Sequence, residues 1–444
     1  MSQSPPRVSF TTLGCRLNQA ESDSMAEELS EHGVQACASE AEPDVVVINT
    51  CTVTREATKA SRQAIRRAAK KHPDAKIVVI GCYAVSDPDE VASIDGVDLV
   101  LTNDDKERFS KALGSHSSTA PLLTIGGPSV RAEKPVERVR VNLKAQTGCD
   151  EWCTFCIIPK TRGPLRSLDE DDLLVEARAR VSVGAREIVL TGVHLGKYTY
   201  DAGGDERDLV RLFRRLLEIE GLRRLRLSSI LSRHLTPDVI DFIANEPRMC
   251  RHLHVPLQSG DDGVLAAMNR PYRIAEYLES IERVKARIPG VALATDIIVG
   301  FPGESEVAFA ATMEVVRHVE FSKLHVFRYS ARPDTAAAGM KDVVAPEIKK
   351  DRSKRLIALG NDIRGRFLEE HLLTPLHVLV EEERQVDGVG ICSGQTDDYV
   401  RVWFEGSDLL GEVVDVDGVR VRADGVEGRL LSQPDAVLVS AGPR

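Results

Sequence analysis

GCDEWCTFC, residues 148–156, places Cys149, Cys153 and Cys156 in the spacing C-x3-C-x2-C. Thiolates are the soft ligands that iron–sulfur clusters take, and three of them leave one iron of a four-iron cluster without a protein ligand. Such an open iron can bind a small molecule. Structural zinc is the alternative, but it usually closes a tetrahedron with paired C-x2-C halves or histidines, and no second pair follows here. The spacing therefore predicts a four-iron cluster with one open position.

The composition is that of a large globular protein. The chain has 444 residues, of which 42% are hydrophobic and 28% charged, and its net charge is −10. This length predicts two or three domains. No apolar run approaches the ~20 residues that a membrane span requires. Nine cysteines without an export signal favour reduced thiols over disulfides. We therefore expect a cytoplasmic protein with no membrane partner.

Residues 7–115 alternate strand-like and helix-like segments. Short β-branched runs predict strands of a parallel sheet that is buried on both faces. Helical stretches between them end at Gly33 and before Pro73. Alternating βα units predict a doubly wound α/β domain. The predicted strands are VSFTTL, DVVVINT, KIVVIG and VDLVLT.

One cysteine follows each of the first three predicted strands. Cys15, Cys51 and Cys82 would therefore lie at one edge of the sheet, where ligands gather in doubly wound folds. Three thiolates at equivalent positions predict a second metal-binding triad. The alternative is three unconnected buried cysteines, because cysteine also packs as a small hydrophobe. We assign that packing role to the cysteines outside both triads, Cys37, Cys250 and Cys392.

Six strand–helix units follow a predicted linker at about 115–135 and extend to about residue 335. Six units are too few to close an eight-stranded barrel, so they predict an open partial barrel. The helix after the first of these strands is predicted to begin with an S-x-x-E capping box, Ser167 and Glu170. The predicted strands are RVRVNLKA, REIVLT, LRRLRLSS, HLHVPLQS, VALATDIIVG and SKLHVFRYS.

Polar residues and glycines gather at the carboxyl ends of these strands, where βα barrels carry their chemistry. Any one of them could cap a loop, so their shared position carries the prediction of a cofactor site. Phe155 and Trp152 would shield the cluster, and Gly300 would let the backbone approach a bound cofactor closely. We interpret His194 as a structural hydrogen-bonding residue. The predicted cofactor-site residues are Phe155, Thr191, Gly192, Ser228, Ser229, Gln258, Ser259, Asp296 and Gly300.

Residues from about 372 to 436 change to short strands separated by turn residues. This pattern predicts a small antiparallel barrel, preceded by a helical and charged connector. The predicted strands are LHVLVEEE, GVGICSGQT, YVRVWFEG, EVVDVDG and VRVRADG.

Charge is distributed unevenly along the chain. Residues 55–76 hold eight Lys or Arg and two acidic residues, whereas residues 375–434 hold five Arg and no Lys against thirteen acidic residues. The barrel segment is therefore a poor electrostatic match for nucleic acid. It would either use a few arginines locally, Arg401, Arg420 and Arg422, or serve in packing. In the basic segment a helical stripe forms either a solvated face or a phosphate contact: Arg55, Lys59, Arg62, Arg66 and Lys70.

The three parts together resemble the methylthiotransferases, a family of radical S-adenosylmethionine enzymes. The cysteine loop, TLGCRLNQAES, the NTC and GCY strings and HLHVPLQSGDDGVLAAMNRPY carry the resemblance along nearly the whole chain. It implies a methylthiotransferase domain at 7–115, a radical S-adenosylmethionine core at 135–368 and a TRAM domain at 372–436. The expected fold is therefore α/β, with a doubly wound parallel-sheet domain, a partial (β/α)6 barrel and a small antiparallel β-barrel.

The resemblance also implies the cofactors and partners. S-adenosylmethionine would serve both as methyl donor and as radical source, beside two [4Fe-4S] clusters. An electron donor such as flavodoxin or ferredoxin and a sulfur source would be required. The implied ligands are Cys149, Cys153 and Cys156 for the radical-generating cluster, and Cys15, Cys51 and Cys82 for the cluster that holds the sulfur to be inserted.

The strings LGCRLNQAES, PLQS and LTGVHLGKY resemble the branch that acts on N6-threonylcarbamoyladenosine next to the anticodon of tRNA. The isopentenyladenosine branch typically carries YGCQMN. The branch that modifies a ribosomal protein typically carries LGCPKN and PLQH. The adenine C2–H bond is neither acidic nor electrophilic, so its substitution needs a carbon radical. An iron–sulfur RNA-binding protein or redox sensor without turnover is the alternative from another class. The strand-end polar residues argue against it, because a sensor needs no S-adenosylmethionine site.

Overall fold

The computed structural model describes residues 5–38, 42–115, 138–199 and 207–431. The predicted linker beyond residue 115 and the end of the predicted barrel beyond residue 431 lie outside these ranges. No helix in the described part of the chain is long and apolar enough to cross a membrane.

The first sheet is parallel and is buried on both faces. Alternate residues of its central strand pack on two separate cores, with Val45 and Val47 on one side and Val46 and Ile48 on the other. The predicted doubly wound arrangement is confirmed. The strands are β1 Arg7–Thr12, β2 Gln35–Cys37, β3 Val45–Thr50, β4 Lys76–Gly81 and β5 Leu99–Val100, in the order β2-β1-β3-β4-β5. The helices are α1 Arg16–Glu31, α2 Arg55–Lys71, α3 Cys82–Ser86, α4 Pro88–Ala92 and α5 Phe109–Ser115.

All six predicted strands of the central part are present, and they run parallel in chain order. The strands are β6 Arg140–Lys144, β9 Glu187–Thr191, β10 Arg224–Leu227, β11 His252–His254, β12 Ala292–Val299 and β13 Lys323–Arg328, with a short antiparallel pair of β7 Gln146–Thr147 and β8 Arg166–Ser167. The Ile230 amide donates to the His254 carbonyl at 3.0 Å and links the two three-stranded halves. Among the described residues no strand pairs β13 back to β6, so the predicted open partial barrel is confirmed.

Helices cover the outside of the partial barrel. They are α6 Ile158–Arg162, α7 Glu170–Ser182, α8 Arg207–Leu217, α9 Pro237–Asn245, α10 Asp262–Ala267, α11 Ile274–Arg287 and α12 Glu306–Val319. Short 3-10 helices occur at Asp104–Arg108, Leu195–Lys197, Ser232–His234 and Ala336–Gly339.

The capping box predicted for α7 is wrong. Asp169 is the residue that caps this helix, and its carboxylate accepts from the Asp171 and Asp172 amides. Ser167 lies in β8 instead, where its hydroxyl accepts from the Thr199 amide at 3.0 Å. Glu170 is fully buried and accepts from Arg211 and Arg215 of α8. The pattern S-x-x-E was present, but a carboxylate two residues further along is the better acceptor for the first amides of the helix.

A closed five-stranded barrel follows the predicted connector helix, which spans α13 Pro346–Glu370. The strands are β14 Leu376–Val386, β15 Val389–Gln395, β16 Arg401–Glu405, β17 Val413–Arg422 and β18 Gly425–Leu430. The fourth and fifth predicted strands are one strand, β17, and the fifth strand of the barrel is β18. The β16–β18 pair is parallel, so the barrel is not wholly antiparallel as predicted.

The Asp417–Gly418 dipeptide explains this error, because Asp-Gly usually marks a turn. Here it lies inside β17, where the pairing with β18 shifts register between Gly418 and Arg420. A Cβ atom on Gly418 would lie 2.5 Å from the His371 carbonyl oxygen, so glycine serves close packing and not a turn.

The C-terminal barrel docks on the amino ends of the central strands. Arg224 donates to the carbonyls of Gln395 and His377, and Arg226 donates to those of Thr396 and Asp397. Arg226 is completely buried and forms an ion pair with Glu187 at 2.6 Å. These contacts leave the carboxyl ends of the strands free of the C-terminal barrel.

Replacing Gly418 with Ala should destabilise the protein by about 1–3 kcal/mol, because the added methyl group meets the His371 carbonyl. Gly365→Ala is the matched control. Gly365 lies inside α13 with nothing within 4 Å of its added Cβ, so the change should be neutral or stabilising by up to about 1 kcal/mol. Thermal unfolding of both variants checks this. Equal melting temperatures for the two variants would contradict the assignment of β17 as one strand.

Candidate active site

The structure brings Cys15, Cys51 and Cys82 to one edge of the first sheet. Cys15 precedes α1, Cys51 directly follows β3, and Cys82 begins α3 directly after β4. The register explains their alignment, since Thr12 of β1 pairs with Asn49, and Asn49 pairs with Ile80. Cys37 pairs with Ser9, short of that edge, which separates it from the triad.

Two glycines let the three loops approach one another. Gly14 has φ +97°, and a Cβ atom there would lie 2.9 Å from the Cys51 Sγ. Gly81 has φ +105°, and its Cβ atom would lie 2.5 Å from the Thr50 carbonyl oxygen. A side chain at either position would therefore be strained and would push the cysteines apart. The Asn18 amide completes the arrangement by donating to the carbonyls of Leu13 at 2.7 Å and Thr50 at 3.0 Å.

The surroundings of this triad fit a multi-iron cluster better than zinc. Burial, together with the neighbouring Cys82 and Cys15, raises the pKa of the Cys51 thiol to about 11, so a metal charge is needed to hold three thiolates here. Zinc–sulfur bonds of about 2.3 Å would hold the three sulfurs within about 4 Å of one another. In the described part of the chain these three sulfurs do not all lie within 4.8 Å of one another. Wider spacing suits thiolates that bind different irons of one cluster.

The triad of Cys149, Cys153 and Cys156 lies in the loop after β7. The Cys149 Sγ accepts from the Glu151 amide at 3.4 Å, and the Cys153 Sγ accepts from Arg270 Nη1 at 3.2 Å. Burial raises the pKa of Cys156 to about 12. A backbone amide and a guanidinium aimed at sulfur stabilise thiolates, so this loop also fits an anionic cluster.

The two aromatic residues of the loop differ. Phe155 packs edge-on against Phe301 with ring centres 6.4 Å apart. Trp152 is 67% exposed, so the prediction that it shields the cluster is not supported by its position.

The strand-end residues differ in what they offer a ligand. Thr191 is buried, and Gly192 packs on Gln146, whose Oε1 would lie 3.0 Å from an added Cβ. The Ser228 hydroxyl is buried without a hydrogen-bond partner among the described residues, and its neighbour Ser229 is half-buried. Ser228 is therefore a free polar group at the predicted site.

The later strands give a mixed result. Gln258 adopts φ +68° at the end of its strand segment and is 8% exposed, and Asp296 accepts from His254 Nε2 at 3.1 Å. Ser259 is completely buried and is used within the fold, because its hydroxyl accepts from the Asp261 amide. Its place in the cofactor site stays a prediction.

Gly300 lies in a turn that packs closely on α13. Its φ is +71°, and an added Cβ would lie 2.3 Å from Cγ of Lys349 in α13. Its amide donates to Glu304 Oε2 at 2.6 Å. The turn therefore packs closely against Lys349, and its approach to a bound cofactor stays a prediction.

His194 lies in a buried pair with His234, while its Nδ1 has no hydrogen-bond partner among the described residues, so its structural role stays a prediction. Its Nε2 lies 3.2 Å from the Nε2 of His234, and both rings are buried. Burial lowers the pKa of His194 to about 4, and the neighbouring His234 contributes. The ring is therefore neutral near pH 7 and serves in hydrogen bonding.

A buried charge cluster joins the two cysteine loops, and sequence reasoning missed it. Glu21 of α1 accepts from Arg162 of α6 at 2.8 Å and from Lys106 at 2.5 Å. Arg162 lies six residues beyond Cys156 and also donates to the Asn18 side chain. Burial alone would raise the pKa of Glu21, but Lys106 and Arg162 hold it well below its usual range. Asn18 and Glu21 lie within the string TLGCRLNQAES, and Arg270 lies within HLHVPLQSGDDGVLAAMNRPY. The motifs therefore contained these residues without showing their partners.

The basic stripe of α2 lies on the surface. Arg66 and Lys70 are exposed and line a cleft of about 550 Å³ with Arg62, which pairs with Glu90. The arginines of the C-terminal barrel are engaged instead, since Arg401 pairs with Glu382, and Arg420 and Arg422 pair with Glu427. The structure therefore favours the packing role for this barrel.

Comparison with known proteins agrees with this architecture. Residues 7–102 match the uncharacterized protein family UPF0004, and residues 143–316 match the radical SAM superfamily. The radical S-adenosylmethionine methyltransferase TsrM from Kitasatospora setae shares the fold, with a TM-score of 0.55 over 75% of this chain and 77% of its own at 14% identity. The chain is thus a radical S-adenosylmethionine protein.

Two relatives define the family further. Threonylcarbamoyladenosine tRNA methylthiotransferase MtaB of Bacillus subtilis (strain 168) is 38% identical over 92% of this chain and 93% of its own. The tRNA-2-methylthio-N(6)-dimethylallyladenosine synthase of Sorangium cellulosum (strain So ce56) is 34% identical over 99% of this chain and 95% of its own. The chain belongs to the methylthiotransferase family. Membership implies a [4Fe-4S] cluster and S-adenosylmethionine, which the Cys149–Cys156 loop fits.

Replacing Glu21 with Gln should destabilise the protein by about 3–5 kcal/mol, because Arg162 and Lys106 then lie buried without their counter-charge. Since the folded pKa is depressed, the stabilisation is complete above the unfolded pKa of about 4.3 and is lost as the pH falls below it. Denaturant unfolding at a series of pH values checks this. The difference between wild type and variant should be constant from about pH 8 to about pH 5 and shrink below.

Glu314→Gln is the control for this experiment. Glu314 is exposed on α12 and pairs only with Arg317 of the same helix among the described residues, so its loss should cost less than about 0.5 kcal/mol at any pH. An equally small effect of Glu21→Gln would contradict the role assigned to the cluster.

Proposed function

We propose that this protein methylthiolates C2 of N6-threonylcarbamoyladenosine next to the anticodon of tRNA. The observation that carries the proposal is the placement of two cysteine triads on the two sides of one interface. Arg162 lies in the helix after the Cys149–Cys156 loop and donates across that interface to the Asn18 side chain. Asn18 in turn holds the Cys15 and Cys51 loops together. A sulfur donor and a radical source must both reach one carbon atom, and this arrangement serves that need.

The proposal includes a second [4Fe-4S] cluster, on Cys15, Cys51 and Cys82. When bound, the two clusters supply the electron that cleaves S-adenosylmethionine and hold the sulfur to be inserted. The chain contributes position and protection. Arg270 and the Glu151 amide hold two thiolates of the first triad, and Gly14 and Gly81 bring the loops of the second triad together. Cys51 and Cys82 are buried, whereas Cys15 is exposed and leaves the edge accessible from one side.

The choice of substrate is supported by the chain's motifs and by its relatives. The string LGCRLNQAES favours the threonylcarbamoyladenosine branch. The relative from Bacillus subtilis carries that substrate in its name at 38% identity, and a relative named for dimethylallyladenosine follows at 34%. The proposed partners are therefore tRNA bearing N6-threonylcarbamoyladenosine, an electron donor such as flavodoxin or ferredoxin, and a sulfur source. A tRNA substrate makes the cytoplasm the proposed location.

Iron content tests the two-cluster proposal. The protein should hold about eight irons per chain. Cys149→Ala with Cys153→Ala should halve the iron and abolish cleavage of S-adenosylmethionine. Cys15→Ala with Cys51→Ala should also halve the iron but leave some cleavage. The measurements are iron and zinc analysis and the release of 5′-deoxyadenosine after chemical reduction.

Cys250→Ala with Cys392→Ala is the matched control, because both residues are buried away from the two triads. This variant should keep its full iron content. Zinc in either triad, or iron unchanged by the Cys15 and Cys51 substitutions, would refute the second cluster.

Substrate choice is tested with anticodon stem-loop RNA that carries one of the two modifications. The threonylcarbamoyl group carries a carboxylate and a hydroxyl, whereas the isopentenyl group is apolar. A site built for the former leaves polar groups unpaired with the latter, at about 1–3 kcal/mol for each group. Mass spectrometry of nucleosides should show methylthiolation of the threonylcarbamoylated RNA and little of the isopentenylated RNA. Modification of only the isopentenylated RNA would assign the chain to the neighbouring branch.

A further inference from the structure

A cavity of about 300 Å³ opens beside Cys15. It lies where the first sheet, the partial barrel and the C-terminal barrel meet. Each of these three parts contributes a wall, and the polar residues that matter most for its chemistry are Arg16, Arg140, Asn142 and Tyr399. The cavity therefore adjoins the triad at which the proposed sulfur would be held.

Three arginines surround the ring of Tyr399, and two of them, Arg16 and Arg140, line the cavity with it. The guanidinium carbons of Arg226, Arg16 and Arg140 lie 4.6, 5.3 and 5.4 Å from the centre of the Tyr399 ring. Tyr399 adopts φ +74°, which is costly for an aromatic residue and is maintained only where the surroundings fix it. Hydrogen bonds between Thr396 and Val400 close the loop around it. The C-terminal barrel thus presents a fixed tyrosine to the cavity.

The charges of this cluster do not balance. Arg226 is paired with Glu187 at 2.6 Å, and Arg140 lies 3.4 Å from Glu381. Arg16 donates to the Tyr399 hydroxyl at 2.7 Å, and no carboxylate of the described residues pairs with it. Burial lowers the pKa of Arg16, and Arg140 and Arg226 act in the same direction, yet a guanidinium remains charged. One more negative charge would therefore be stabilising here.

The geometry points to Arg16 as the residue that binds the carboxylate of the substrate's threonylcarbamoyl group, with Tyr399 as the positioning residue that orients it. This inference rests on the proposed function. In adenine, C2 and the carbon that carries N6 flank the same ring nitrogen, N1, so the N6 substituent extends along the edge of the base that carries C2. A base that presents C2 to the Cys15 triad therefore directs this substituent toward the neighbouring cavity.

Arginine suits this task because its planar fork binds a carboxylate through two parallel hydrogen bonds. Arg16 uses one described hydrogen bond, to the Tyr399 hydroxyl, which leaves other donors for a ligand. An isopentenyl group offers no acceptor and would leave Arg16 buried without its counter-charge. The same residue thus both selects the threonylcarbamoyl group and disfavours its apolar counterpart.

The test compares stem-loop RNA bearing threonylcarbamoyladenosine with the same RNA in which a neutral carboxamide replaces the carboxylate. For wild type, kcat/KM should be about 10- to 100-fold higher on the acid, the size expected for a charge-assisted hydrogen bond. In Arg16→Gln this acid-to-amide ratio should fall to about one. Arg16→Lys should keep part of the ratio, because it retains the charge without the fork. Tyr399→Phe should lower the ratio partially, because it removes the hydroxyl that orients Arg16.

Arg283→Gln is the matched control. Arg283 is exposed on α11 and pairs with Glu279 of the same helix, so its variant should keep the wild-type ratio. A wild-type ratio near one, or an Arg16→Gln variant that loses activity equally on both RNAs, would overturn the assignment while leaving the proposed function intact. Modification of isopentenylated RNA alone by the wild type would overturn the proposed substrate itself, and this assignment with it.

Discussion

The buried pairing of Glu21 with Arg162 and Lys106 is the constraint on which the active site depends. Each of these charges would be costly in the interior by itself, so the three groups must meet. Lys106 belongs to the same domain as α1 and the first sheet, whereas Arg162 belongs to the partial barrel. Their common partner therefore fixes how the two parts face each other. Asn18, one helical turn before Glu21, transmits that fixed relation to the loops of Cys15 and Cys51.

A second buried ion pair, Glu187 with Arg226, positions the C-terminal barrel on the partial barrel. Glu187 and Arg226 form an ion pair inside the partial barrel. The Arg226 guanidinium also donates hydrogen bonds to the carbonyls of residues 396 and 397 in the C-terminal barrel. An acidic barrel that pairs its own arginines has little positive charge to offer a phosphate backbone. The basic, exposed stripe on α2 lies on a different part of the molecule and carries the charge that RNA would need.

Periodicity and motif spacing were sufficient for most of the fold, because its strands are β-branched runs and its cysteines occur at strand ends. The missed strand β2, QAC, is three residues long and has no β-branched residue, so no pattern marks it. The Asp417–Gly418 pair was interpreted as a turn because Asp-Gly usually marks one. The close contact with His371 that explains the glycine joins residues far apart in sequence, so no local pattern shows it. Local spacing also did not specify the contacts of Ser259 with Asp261 and of Gly300 with Lys349. Arg162 and Glu21 are 141 residues apart, and neither has a local signal of its partner.

The contacts of Arg226 have a consequence for how the chain matures during synthesis. Glu187 and Arg226 leave the ribosome well before the loop at residues 396–397, whose carbonyls complete the shell around the guanidinium. Until that loop arrives, the amino ends of the central strands stay open to solvent. A nascent chain that has not yet folded its C-terminal barrel therefore keeps Arg226 without the carbonyl groups that complete its hydrogen bonds.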